Sequence, residues 1–150
     1  MTNNFSPVEQ YFYKKKSNLF PTKIPYITVE NFPTLGLLTA LRFLEWVADN
    51  PAGVISLPTG KTPEYFITWV KRILSEWDTP EGKTFREQHG LHLTQKPDLS
   101  GLHFVQIDEF YPISPKQHNS FYNYVQKFYV EGFGLDASKG IFINFDGAAW

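Results

Sequence analysis

Apolar and polar positions alternate along this chain with two periods. After Pro33-Thr34, Leu37, Leu41, Leu44 and Ala48 recur at helical spacing, while Arg42, Glu45 and Asp49 fall on another face. This predicts an amphipathic helix. Asn50-Pro51 ends it, because the residue before a proline avoids the helical region. Residues 53–57 are short, mostly apolar and flanked by turn formers, as in a buried strand. The strongest stripe follows. Phe66, Trp69, Val70, Ile73, Leu74 and Trp77 recur at i, i+3, i+4, i+7, i+8 and i+11, a helix packed on a core, with Pro63 as its first residue.

Residues 78–100 are rich in Pro, Gly, Thr and charge and read as a long connection with a short helix near Phe85 to His89. Residues 103–107 read as a second strand. A proline-containing loop (111–119) leads to a third helix marked by Phe121, Tyr124, Val125 and Phe128, with Asn119 or Ser120 as its N-cap. Residues 141–143 read as a third strand, followed by Asp146-Gly147. Helix and strand alternate, which predicts an α/β, Rossmann-like parallel sheet flanked by helices, with ligands beyond the C-terminal ends of the strands. Residues 1–24 show no clear period and read as a leader. Residues 25–150 read as one domain portion.

Composition narrows the classes. The 150 residues are 42% hydrophobic and 17% aromatic, enough for a packed core. The formal net charge is -1 with both signs interspersed, and Lys14-Lys15-Lys16 is the only basic run, so nucleic acid is not an expected partner. No stretch has the length of a membrane span, and the first ten residues lack the apolar centre of a secretory signal. With no cysteine, disulfides and thiolate chemistry are excluded, and a cytoplasmic location is expected.

Two segments carry candidate chemistry. Thr59-Gly60-Lys61-Thr62 lies between a strand and a helix start. There, unpaired helical N–H groups and the helix dipole favour an anion, glycine admits close approach, and the hydroxyls and Lys61 add donors. An ordinary capped turn explains the same residues. A nucleotide P-loop would need another glycine five positions before Gly60, and Ile55 stands there. Asp108-Glu109 ends the second strand. Successive strand residues face opposite ways, so one of the two carboxylates at most faces a given cleft.

Taken together, Leu57-Pro58-Thr59-Gly60-Lys61-Thr62-Pro63 resembles the Leu-Pro-Thr-Gly-(Gly or Ser)-Thr-Pro motif of glucosamine-6-phosphate deaminases. The run Phe104-Val105-Gln106-Ile107-Asp108-Glu109-Phe110 resembles the Asp-Glu-Tyr strand end of that family. Ser120-Phe121 resembles the Ser-Tyr pair opening its next helix. The resemblance runs over residues 54–147. It implies conversion of glucosamine 6-phosphate to fructose 6-phosphate and ammonia, with Asp108 as the proton-transferring base and Glu109 as its support. Thr59, Gly60, Lys61 and Thr62 would be the phosphate loop, with neither metal nor organic cofactor. The related 6-phosphogluconolactonases share the architecture and place Arg where Phe110 stands; a hydrolase of that kind, or a non-catalytic sugar-phosphate-binding domain, is the alternative.

Lys61 departs from the family's Gly or Ser, and prolines occupy the 111–119 loop where the family has Val-Gly-Leu. The family's downstream Gly-His cluster, which opens the sugar ring, has no counterpart here. His89, His92, His103 and His118 lack its surroundings. The resemblance therefore implies the N-terminal portion of such an enzyme, binding sugar phosphate weakly with little or no turnover. Apolar surface left uncovered would favour a homo-oligomer.

Overall fold

The computed structural model describes residues 5–15, 23–24 and 26–143. Helix α2 (Phe32–Asp49) is capped by Asn31, whose side chain accepts the Thr34 N–H at 2.9 Å, and it stops at Asn50. Strand β1 (Val54–Leu57) follows, then helix α3 (Glu64–Ser75). Pro63 sits just before α3 rather than inside it, and Trp77, buried, lies in the turn beyond it.

Strands β1, β2 (His103–Gln106) and β3 (Gly140–Ile141) form one parallel sheet in the order β1-β2-β3. The register pairs Val54 with His103 and Leu57 with Gln106 on one side, and Phe104 with Gly140 on the other. The expected parallel α/β architecture is therefore present. The third strand is two residues long and begins at Gly140, one position before the expected start; Asp146-Gly147 lie outside the described residues.

Helix α2 packs on both α1 (Pro7–Lys15) and α3. Helix α1 falls in the segment to which the sequence assigns no element. Val8 and Phe12, one turn apart, are its buried positions. Its start is tied down by the Ser6 hydroxyl, which donates to Glu45 at 2.7 Å, and by an Arg42–Glu9 ion pair at 3.1 Å. Two inward residues give too short a stripe to register as a period. Helix α4 (Pro80–Gln88) is likewise longer than the short helix expected near Phe85, because Thr79 caps it through the Gly82 N–H and Pro80 opens it. Arg86, buried, stacks 3.7 Å over the Trp77 ring and donates to the Trp77 carbonyl, joining α4 to the end of α3.

The crossing of α2 and α3 depends on Gly36. A Cβ at this position would stand 2.4 Å from the Tyr65 Cβ and 2.7–2.8 Å from backbone atoms of Tyr65 and Phe66. Those atoms belong to the first turn of α3, so no side-chain rotation relieves the clash. Gly36→Val is expected to lower stability by about 2–3 kcal/mol through overpacking, read as a lower urea midpoint with an unchanged slope. Val54 on the outer strand β1 and Ile141 on β3 are 68% and 67% exposed, so apolar side chains stand uncovered at both margins of the sheet.

Candidate functional site

Because Leu57 and Gln106 are register partners in adjacent parallel strands, the turns that follow them leave the same end of the sheet. Residues 58–62 form the first turn and Asp108-Glu109 begin the second. The structure thus brings the two sequence-predicted segments to neighbouring strand ends, about 4.8 Å apart in the pairing direction.

The first turn is built around Gly60. Its φ is +81°, which side-chain-bearing residues rarely adopt, and nothing lies within 4 Å of where a Cβ would be. Lys61 and Thr62 are exposed, and Thr59 is half-buried. No acceptor among the described residues takes the N–H of Thr59, Gly60, Lys61 or Thr62. No side chain caps α3, which starts from this turn. On the outer side of β1 a cleft of about 730 Å³ with mainly apolar walls, Leu38, Phe43 and Phe66 among them, reaches Thr62 and Pro63 at one end.

The second turn is held from within. Gln106, 1% exposed, donates through Nε2 to the Asp108 carbonyl at 2.9 Å and to Glu109 Oε2 at 3.2 Å, and its Oε1 accepts the Ile143 N–H at 3.3 Å. Glu109 accepts four bonds. Oε1 takes the Phe110 and Phe121 N–H groups, both at 3.0 Å, and Oε2 takes the Tyr122 N–H at 2.8 Å besides Gln106. Partial burial favours the neutral acid, but these donors outweigh it and hold the Glu109 carboxyl below the usual glutamate range.

Phe121 and Tyr122 open helix α5 (Phe121–Val125), and the next N–H, from Asn123, goes to the Ser120 hydroxyl at 3.0 Å. Ser120 is thus the N-cap, and the first turn of α5 is fully supplied by side chains of its own chain. Of the two helix starts at this end of the sheet, α5 has its first N–H groups taken by side chains. No side chain caps α3, where the Glu64 N–H goes to the Lys61 carbonyl at 3.3 Å and the N–H groups of Tyr65 and Phe66 have no acceptor among the described residues. Asp108, by contrast, is exposed, and no group among the described residues donates to its carboxylate.

Beyond α5 the helix widens into a π-turn (Gln126–Val130), in which the Glu131 N–H bonds the Gln126 carbonyl five residues back, and closes with α6 (Glu131–Phe133). From this helix Tyr124 donates to the Gly60 carbonyl at 2.8 Å and Tyr129 to the Pro58 carbonyl at 2.6 Å. Sequence periodicity reads Tyr124 only as one of the residues marking a helix and gives no role to Tyr129 or Gln106. Phe110 packs on Phe121 with ring centroids 4.8 Å apart. Among the histidines, His89 lies against Tyr11 and Phe85 and its Nδ1 meets the Phe85 carbonyl, while His103 stands at the opposite end of β2 from Asp108. Among the described residues no cluster of three or more metal-ligating side chains occurs, and no helix is long and apolar enough to cross a membrane.

No family model and no curated protein matches this sequence. Among solved structures the chain is similar to a monomeric glucosamine-6-phosphate deaminase described as a missing link of the NagB superfamily. The TM-score is 0.63 and the identity 16%, over 81% of this chain. The likeness is one of fold, and the chain spans 43% of the length of that enzyme.

Proposed function

We propose that these residues supply the phosphate cradle and the proton-transfer base of a sugar-phosphate isomerising deaminase acting on glucosamine 6-phosphate. The observation that carries this reading is the contrast between the two neighbouring helix starts. The start of α3 offers open N–H groups beside Lys61 and two threonine hydroxyls, whereas an internal carboxylate occupies that of α5. Next to the open start stands Asp108, an exposed carboxylate with no internal donor.

In this reading the phosphate lies over Gly60, with Thr59, Lys61 and Thr62 around it. Asp108 removes the C2 proton of the ring-opened amino sugar. The electron pair forms a C1–C2 double bond as the C1 oxygen takes up a proton. Return of the proton to C1 leaves an imine at C2, and water hydrolyses it to fructose 6-phosphate and ammonia. Glu109 keeps the Asp108 backbone in place through Gln106 and α5.

The test follows fructose 6-phosphate with this 150-residue chain in heavy water. The expected result is slow deuterium uptake at C1, seen by proton NMR, that inorganic phosphate suppresses. Binding without any uptake would overturn the assigned base and leave a sugar-phosphate-binding domain. No shift of the Gly60 and Thr62 amides with either compound would overturn the cradle as well.

A further inference from the structure

We propose that Tyr124 and Tyr129 are positioning residues that turn the backbone donors of the 59–62 loop toward its ligand, and that the π-turn is what lets one helix supply both. This rests on reading that loop as a phosphate cradle. In a trans peptide the carbonyl and the N–H of one unit point in opposite directions. The Pro58 carbonyl shares its unit with the Thr59 N–H, and the Gly60 carbonyl with the Lys61 N–H. Each carbonyl is drawn toward the helix by a tyrosine hydroxyl, at 2.6 Å and 2.8 Å. Both N–H groups are thereby turned away from the helix, to the side where neither has an acceptor among the described residues. Two donors turned to one side, on either side of a glycine at positive φ, are the elements from which a concave anion-binding backbone is built.

The spacing of the two tyrosines accounts for the irregular helix. Residues five apart on an α-helix diverge by roughly 140° and would not reach one loop. The wider turn returns position 129 to the side of position 124, where the two rings sit 6.2 Å apart. Tyr129 is fully buried and packed edge-on against Phe133. Burial, and then the neighbouring Tyr124, push its phenol well above the usual tyrosine range, so it stays a donor at neutral pH.

The test compares Tyr124→Phe, Tyr129→Phe and the double variant with the native chain, since phenylalanine keeps the rings and removes only the hydroxyls. The backbone order parameters of Thr59 and Lys61 are expected to fall from about 0.85 toward 0.6. The dissociation constant for inorganic phosphate is expected to rise roughly five- to tenfold per hydroxyl, the scale of one hydrogen bond, with a smaller effect from Lys61→Arg. A merely structural role would lower the thermal midpoint while leaving loop order and phosphate affinity in the folded state unchanged, and that pattern overturns the proposal. If the native chain itself fails to bind phosphate, the cradle reading falls. The tyrosine clamp is then decided by the order parameters alone, and their remaining unchanged would sink it.

Discussion

Asp108→Asn is expected to slow deuterium exchange at C1 of fructose 6-phosphate by about 10²–10⁴-fold, the usual contribution of a positioned general base. The dissociation constant for the sugar phosphate should stay within about twofold, because uniform binding does not depend on the base. The separation follows from the layout. The loop donors belong to the turn after β1, and the carboxylate belongs to the turn after β2. Asparagine is nearly isosteric with aspartate, and this exposed side chain holds nothing together among the described residues. The thermal midpoint should therefore not move. Exchange at the native rate in the variant would remove Asp108 from the mechanism.

Glu109→Ala is expected to do the reverse, lowering stability by about 2–4 kcal/mol. It strips acceptors from three backbone N–H groups and one buried amide at once. The effect should depend on pH, with a determined sign. The native carboxyl titrates below its ordinary value near 4.5. Its contribution is therefore fully present above that ordinary value and is lost as pH falls through the lower, native one. Urea midpoints of the native chain and the variant should differ most at neutral pH and converge in acid below about 4.5. A gap that persisted unchanged into that range would mean that packing, not the carboxylate's bonds, is what alanine removes.

The two neighbouring carboxylates thus have different surroundings, and the sequence shows only part of this. Alternation along a strand indicates that Asp108 and Glu109 diverge. Which of them turns inward depends on where α5 begins, twelve residues later at Phe121, and no local pattern encodes that distance. Helices α2 and α3 are legible because each buries a long, periodic face, and the strands because short apolar runs stand between turn formers. The 58–62 turn is legible because Gly60 and Pro63 punctuate it. Ser120 is legible as one of two candidate caps because its chemistry is local.

The π-turn is invisible to a 3.6-residue period: Phe121, Tyr124, Val125 and Phe128 fit an ordinary helix, and the inserted turn shifts Tyr129 inward without changing composition. Gln106 reads as a strand residue, and its burial becomes meaningful only once the chain returns to place the Ile143 N–H on its Oε1. Thr79-Pro80 did carry a helix-start signal, outweighed by the polar composition around it.

The parallel register has a temporal consequence. Val54 and His103 are partners 49 residues apart in sequence. The tyrosine hydroxyl bonds to the 58–62 turn span 64 and 71 residues. Closing loops of that length costs entropy before any contact repays it, so such contacts form late relative to local ones. The α2–α3 pair, by contrast, needs only the short excursion through β1. By the same reasoning the α2–α3 pair is expected to form before the two tyrosines reach the 58–62 turn. A species in which α2 and α3 have paired but the helix carrying Tyr124 and Tyr129 has not docked would lack both hydroxyl bonds to the 58–62 turn.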